Sequence, residues 1–162
     1  MHALTESQIR KSFVNTTLRE RNSITLSTHF ADTDWDRVDF LGWRDPKLPL
    51  VGYLVVPVDD KLVGVMLRRG ERQPRTRPQC SFCEDVQLPN EVAFYSAKLG
   101  GAAGRKGDTV GTLVCAEFEC SHNVRVKPSA IFAGDDPEAI RQQRIDALRL
   151  HAQGFARRIL QG

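Results

Sequence analysis

The fold is decided by a stretch that opens with Cys80-Ser81-Phe82-Cys83 and closes with Cys115-Ala116-Glu117-Phe118-Glu119-Cys120-Ser121-His122. All four cysteines of the 162-residue chain lie in these two short clusters. A Cys-x-x-Cys turn brings two sulfurs about a metal's width apart, and a second pair completes the tetrahedron that Zn²⁺ prefers in closed structural sites. The sequence therefore predicts structural zinc with four ligands: Cys80, Cys83, Cys115 and Cys120.

Three other uses of these cysteines stay open. Disulfides need an oxidising compartment, and the chain start, Met1 to Glu6, has no basic segment followed by an apolar run, as a signal peptide would. We therefore expect a cytoplasmic protein with reduced thiols. A redox pair of the thioredoxin kind would follow a buried strand and open a long helix, which the residues around Cys80 do not indicate. Buried inert thiols are the third alternative.

The residues between the cysteine pairs predict what kind of zinc unit this is. Glu91 to Leu99 and Asp108 to Val114 are predicted as strands, and the glycine-rich basic segment Gly100 to Gly107 is predicted as the loop of their hairpin. The segment Glu117 to Val124 is predicted to start a helix whose positive N-terminal end favours thiolate at Cys120. A knuckle, a hairpin and a helix with the last ligand are the layout of a treble-clef finger.

His122 is the alternative fourth ligand, since zinc also accepts histidine nitrogen. On a helix, however, residues two apart point about 200° apart, so Cys120 and His122 cannot easily share one metal. Thiolate is also the better match to three other cysteines. We expect His122 on the surface beside the site.

The amino-acid composition limits the classes of protein to which the chain could belong. Hydrophobic residues make up 41% and charged residues 27%, which is ordinary for a globular domain, and no apolar run reaches the length of a membrane span. The net charge of +3 permits an anionic partner without requiring one. Basic residues gather around the predicted zinc unit: Arg68, Arg69, Arg72, Arg75, Arg77, Arg105, Lys106, Arg125 and Lys127. They indicate either a solvated linker that offsets the charge of the zinc centre or a positive face for RNA or an acidic protein.

Outside the zinc unit, local signals predict further elements. Thr5 and Gln8 form a capping box for a helix from about Glu6 to Arg19. Val51 to Pro57 and Leu62 to Arg68 are predicted as a hairpin, which with the later hairpin gives an antiparallel sheet of about four strands.

Near the end of the chain, Asp135 or Asp136 as N-cap and Pro137 at the first position predict a long amphipathic helix to Leu160. Its apolar stripe indicates packing on its own domain, or else a dimer or partner contact. The predicted fold is therefore α+β: an antiparallel sheet with a treble-clef finger (about 78–126), an N-terminal helix and a long C-terminal helix. We expect one domain over 1–128, and a linker with the helix over 129–162.

The aromatic segment from Asp34 to Pro46 is predicted to serve the core through Trp35, Phe40 and Trp43, with a contact patch as the alternative. Its acidic residues are interpreted as a solvated loop: Asp34, Asp36 and Asp39.

No catalytic pattern stands out. The chain has no phosphate-binding Gly-rich loop followed by Lys-Ser/Thr, and its four histidines are scattered without an evident nucleophile. Four cysteines would fill the zinc shell and leave no open position for catalysis. We expect a binding module rather than an enzyme, with no small-molecule substrate and no membrane association.

Several motifs in the same order resemble one protein family. They are Thr5-Glu6-x-x-Ile9-Arg10-x-Ser12-Phe13-Val14-Asn15, Trp35-x-x-Val38-Asp39-Phe40-Leu41-Gly42-Trp43-Arg44-Asp45-Pro46, Cys80-x-x-Cys83, Gly107-Asp108-Thr109-Val110-Gly111-Thr112 and Cys115-x4-Cys120-Ser121. Together they are similar to the FBP-type family, which is related to the C-terminal treble-clef zinc-finger domain of FusB-type elongation factor G-binding proteins. The resemblance covers about residues 4 to 126.

The resemblance implies a zinc-stabilised protein that binds translation elongation factor G and modulates its interaction with the ribosome. In the fusidic acid resistance members, this binding helps to free the factor from a stalled ribosome. The four cysteines match the zinc-ligand positions. Cys120 keeps its position but differs in ligand type, because the resistance proteins resemble a site of three cysteines and one histidine.

We expect the partner to meet residues that border the zinc hairpin and helix: Lys98, Arg105, Lys106, His122 and Arg125. One alternative function is an RNA- or ribosome-binding zinc finger that acts independently of elongation factor G, whose binding would weaken steeply with salt. Another is a redox switch that releases zinc when a low-pKa thiolate is oxidised.

Overall fold

The computed structural model describes residues 1–71, 75–126 and 136–162. Its centre is an antiparallel sheet with five strands in chain order: β1 (Leu41–Arg44), β2 (Val51–Val58), β3 (Lys61–Arg69), β4 (Val92–Lys98) and β5 (Thr109–Cys115). The described helices are α1 (Glu6–Ser12), α2 (Leu18–Ser23), the 3₁₀ turn Trp35–Arg37, α3 (Gly101–Lys106), α4 (Cys120–Asn123) and α5 (Pro137–Leu160). The predicted α+β class, with a long C-terminal helix, is confirmed.

Two hairpins build most of the sheet. β2 and β3 pair along their whole length around a turn in which Asp59 has φ +51°. β4 and β5 pair from Val92–Cys115 to Lys98–Thr109, so one end of this hairpin carries a cysteine and the other carries α3. Both predicted hairpins are confirmed.

The two hairpins meet only briefly, because β3 and β4 pair at just two positions, Arg68–Ser96 and Arg69–Tyr95. Beyond them, the side chain of Asn15 fills the gap between the diverging strands. Its amide nitrogen donates to the carbonyls of Met66 (2.9 Å) and Lys98 (3.1 Å), and its oxygen accepts from the Met66 N–H (2.9 Å). One side chain thus ties the two halves of the sheet together.

Both faces of the sheet bury apolar side chains. α5 lies on the face that also carries the cysteine clusters, and the predicted stripe is buried there through Ile145, Leu148, Ala152 and Ile159. The opposite face is covered by α1 and the chain before β1, through residues such as Ile9, Phe13, Ile24 and Tyr53. Trp43 and Phe40 are buried as expected, and Trp35 is half-buried.

The first helix is shorter than predicted. Thr5 and Gln8 form the predicted capping box, but α1 ends at Ser12 because Phe13 bridges to Gly64 and the Val14 N–H donates to the Gly64 carbonyl. Thr17 then caps the separate helix α2. Pairing with β3 therefore overrides the helical continuation to Arg19.

Two further predictions were wrong. The segment Gly100–Gly107 is not an open loop: six of its residues form α3, which ends at Gly107 with φ +101°. The sheet has a fifth strand, β1, which pairs with β2 from Leu41–Val55 to Arg44–Gly52. β1 has only four residues, in which buried Leu41 and Trp43 alternate with half-buried Gly42 and Arg44, and so short an alternation gives a weak signal in the sequence.

At the start of α5, Asp136 is the N-cap and its carboxylate accepts from the N–H groups of Glu138 and Ala139. Asp135, Arg72 and Lys127 lie outside the described residues, as does the predicted domain boundary after residue 128, so the division into 1–128 and 129–162 stays a prediction. In the described part of the chain, no helix combines the length and apolar character needed to cross a membrane.

Candidate metal centre

The four cysteines converge in the interior. Their Sγ atoms all lie within 4.8 Å of one another, and all four side chains are buried. The Cys80–Cys120 and Cys83–Cys115 sulfurs are each 3.7 Å apart. A tetrahedral zinc ion with Zn–S bonds of about 2.3 Å would set its sulfurs about 3.8 Å apart, so the cluster matches the geometry of this ion.

Two tight turns give the sulfurs these positions. In the first turn, the N–H groups of Phe82 and Cys83 point at the Cys80 sulfur, and Glu84 closes the turn with φ +55°. This knuckle is fixed to the sheet because the Ser81 N–H donates to the Leu113 carbonyl (2.7 Å). In the second turn, Phe118 has φ +61°.

The other two cysteines come from opposite sides of that second turn. Cys115 is the last residue of β5, and Cys120 is the first residue of α4. Knuckle, hairpin and helix therefore follow one another as the sequence predicted, although α4 is a single turn that begins later than expected.

A buried amide faces the sulfurs and was not predicted. Asn123 Nδ2 donates to Cys115 Sγ at 3.3 Å and approaches Cys83 Sγ at 3.8 Å. The only sequence signal for this role is the position of Asn123, one helical turn after Cys120. An N–H donor aimed at a sulfur stabilises the thiolate form, which is the form that binds metal.

The pKa values of the cysteine thiols are shifted in opposite directions within the cluster. The pKa of Cys80 is lowered because the Cys115, Cys120 and Cys83 thiols hydrogen-bond to its sulfur. The pKa of Cys120 is raised, chiefly by its hydrogen bonds with Cys115 and Cys80, together with burial. A divalent cation would remove this conflict, because it balances the charge of several thiolates at once.

Two histidines lie near the centre without joining it. His122 is exposed on α4 and is absent from the group of converging ligand atoms, so Cys120 and not His122 completes the set. His151 of α5 places Nδ1 3.0 Å from the Phe82 carbonyl, which links the helix to the knuckle. The burial of all four sulfurs argues against the redox-switch alternative, because oxidation favours accessible thiolates.

A buried carboxylate joins three segments beside the centre. Asp39, whose side chain is fully buried, accepts from Arg125 at 2.5 Å and from Arg149 of α5 at 2.9 Å. Its own N–H donates to the hydroxyl of Ser121 on α4 (3.0 Å). Asp39 is therefore not part of a solvated loop, as its acidic neighbours suggested.

The structure separates the residues that were predicted to meet a partner. Lys98, Arg105 and Lys106 are exposed at the α3 end of the β4–β5 hairpin, while His122 and Arg125 lie at the cysteine end. Arg125 is largely engaged with Asp39. The role of these five residues stays a prediction, and they do not form one continuous patch.

Comparison with known proteins agrees with this geometry. The model of the family described as FBP C-terminal treble-clef zinc-finger matches residues 8–159. None of the curated proteins compared with the chain matches it significantly. Among solved structures, "Structure of the fusidic acid resistance protein FusC" is similar, with a TM-score of 0.57 and 18% identity, over 76% of this chain and 53% of the FusC chain. The chain thus spans about half of that protein, and the likeness bears on the fold.

Proposed function

The chain belongs to the FBP C-terminal treble-clef zinc-finger family, and on this premise we propose that it binds translation elongation factor G and modulates the factor's interaction with the ribosome. In this proposal, Cys80, Cys83, Cys115 and Cys120 hold a structural zinc ion. The observation that carries it is the family match together with the four converging sulfurs. Since translation takes place in the cytoplasm, the proposal locates the protein there.

The role proposed for the zinc is to fix the shape of a binding surface, not to catalyse a reaction. Four protein ligands close the coordination shell and leave no position for a substrate or an activated water. The site's neighbours support this role, since Asn123, Ser121 and His151 are all bonded within the protein. We therefore propose a binding protein rather than an enzyme.

The charges favour a protein partner over RNA. Three of the arginines predicted to form a basic face are paired internally: Arg69 with Glu91, Arg77 with Asp85 and Arg125 with Asp39. RNA binding depends on cations that are free to neutralise phosphates. The available positive charge is therefore smaller than the sequence suggested.

Fusidic acid tolerance is a further part of the proposal. FusC is a fusidic acid resistance protein by name. If the present chain frees elongation factor G from a stalled ribosome, expressing the chain in a drug-sensitive strain should raise the inhibitory concentration of fusidic acid. Unchanged sensitivity despite confirmed factor binding would restrict the role to routine translation.

The test of the proposed function is a binding titration with purified elongation factor G from the same organism. The zinc-loaded chain should bind the factor saturably, and a sample stripped with a chelator should lose binding and regain it when zinc is restored. Binding that is absent with and without zinc would contradict the proposal. Displacement of the chain by bulk tRNA, with a steep dependence on salt, would instead favour the RNA-binding alternative.

A further inference from the structure

One part of the sheet is left uncovered by the helices. β4 alternates in its burial: Ala93, Tyr95 and Ala97 point into the core, while Phe94 is 44% exposed. Phe94 therefore lies on the face opposite α5, beyond the area that α1 covers. A single exposed phenylalanine is common on protein surfaces, so its significance depends on the apolar and charged groups beside it.

Gly111 of β5 leaves room for the ring of Phe94. A Cβ atom at Gly111 would lie 2.5 Å from the tip of the Phe94 ring, so only glycine allows the ring to lie across the strand. The tip of the ring therefore already lies against β5 before any partner arrives. Anchors that are ordered in advance lose less entropy on binding.

Apolar surface continues from Phe94 to the neighbouring strands. Arg68 lies across from Ser96 on β4 and across from Val51 on β2, so it links the side of the sheet that carries Phe94 to the start of β2. Leu48 and Leu50 are 55% and 43% exposed. They border a groove of about 340 Å³ whose lining also includes Met66, Tyr53 and Arg68. We call this surface, from Leu48 and Leu50 across Arg68 to Phe94 and Lys98, the open face.

Two cations border the open face. Arg68 sits directly across from Ser96, and Lys98 follows two residues later on β4, so both share the side of the sheet with Phe94. Both side chains are exposed and neither forms an ion pair within the described ranges 1–71, 75–126 and 136–162. Glu20 lines the groove beside Arg68, and its pKa is lowered chiefly by its hydrogen bond with the Thr17 N–H (2.8 Å) and further by the positive charges of Lys98 and Arg68.

This chemistry fits a protein surface better than a nucleic acid. An apolar centre with an aromatic anchor and a charged rim is the usual anatomy of a protein interface. RNA-binding sheets commonly stack two or three bases on several aromatic side chains, whereas on the open face Phe94 is exposed and Tyr53 is buried. The positive rim calls for carboxylates on the partner.

We propose that the open face is the surface on which elongation factor G docks, with Phe94 inserted into an apolar site of the factor and Arg68 and Lys98 paired with its carboxylates. This inference rests on the proposed function, since it assigns a surface to the same partner. It differs from the sequence-based expectation because only Lys98 is common to both sets of residues.

The test compares factor binding by the zinc-loaded wild type, Phe94→Ser and a matched control, Leu150→Ser. Leu150 is 64% exposed on α5, on the other side of the sheet, so its replacement removes similar apolar surface elsewhere. Phe94→Ser should raise the Kd at least about thirtyfold, as expected for a central aromatic anchor, while Leu150→Ser should bind like the wild type.

A second variant, Arg68→Glu, guards against a folding defect in Phe94→Ser. It should weaken binding more at low salt than at high salt, because exposed charges are screened. Zinc content and the unfolding midpoint are measured for each variant.

If the wild type binds no factor, the proposed function fails and this inference falls with it. If the wild type binds and both variants bind within about twofold of it, the open face is not the docking surface.

Discussion

The polar side chains around the cysteines are held by hydrogen bonds within the protein. Asn123 spans two sulfurs, Ser121 accepts from the Asp39 N–H, and Arg125 donates both to Asp39 and to the Ser121 carbonyl. The short helix that carries Cys120 is thus bonded both to the cysteine sulfurs and to Asp39 of a distant segment. Such supporting bonds orient ligands and raise metal affinity.

At Cys120, replacement by serine should strongly reduce zinc affinity, because a neutral hydroxyl replaces one of four thiolates. The matched control is His122→Ala, only two residues away, which should keep its zinc because this side chain is exposed. Zinc is measured by mass spectrometry after dialysis against a weak chelator. Retention of zinc by the serine variant and its loss from the alanine variant would reverse the assignment.

Replacing Asp39 by asparagine should destabilise the protein by about 3 kcal/mol, because it leaves the mostly buried Arg125 without its counter-charge. Arg149 is about half exposed, so water will satisfy it and limit the loss. Urea denaturation measures the free energy of unfolding. Asp34→Asn, an exposed neighbour, should change it by less than about 0.5 kcal/mol. Equal effects of the two replacements would refute the role of Asp39.

Some residues around the centre could be predicted from the sequence and others could not. The cysteines were found because a metal requires particular residue types at short spacings, which remain visible in the chain. Asp39 was assigned to a solvated loop, because its partners Arg125 and Arg149 lie far away in sequence. Asn123 and Phe94 were missed for the same reason: only the fold decides what they face.

At the scale of elements, local signals predicted starts and turns better than ends. The capping box at Thr5, the Asp59 turn and the Asp136 cap each depend on neighbours within four residues. The end of α1 depends on pairing with Gly64, and α3 forms where a glycine-rich loop was expected. These outcomes required contacts between distant segments.

Two helical glycines give opposite predictions. Gly154→Ala in α5 should raise the free energy of unfolding by up to about 1 kcal/mol, because alanine favours the helix and the added Cβ meets nothing within 4 Å. Gly104→Ala in α3 should lower it, because its Cβ would lie 1.8 Å from the Leu99 carbonyl oxygen. Thermal unfolding of the two variants compares them directly. A stabilised Gly104→Ala protein would show that α3 is packed differently.

The whole molecule is organised around one junction. α5 contacts the sheet, binds the knuckle through His151 and meets Asp39 through Arg149. Arg144 adds bonds to the carbonyls of Asn123 and Val126. The cysteine centre, the sheet and the long helix therefore share one core, so the metal should affect the stability of all three.

Removal of zinc should lower the unfolding midpoint by at least about 10 °C, since several kcal/mol of metal binding are lost and each shifts a domain of this size by a few degrees. Restoring zinc should restore the midpoint, whereas Mg²⁺, which prefers oxygen ligands, should not. An unchanged midpoint would mean that the sheet and α5 are stable without the centre.

The most direct test of the central claim is X-ray absorption at the zinc edge of the purified, metal-loaded protein. The account predicts a shell of four sulfur atoms at about 2.3 Å from zinc and no lighter ligand. A shell containing nitrogen or oxygen, or a protein that takes up no zinc, would contradict the assignment of Cys80, Cys83, Cys115 and Cys120 as the complete ligand set.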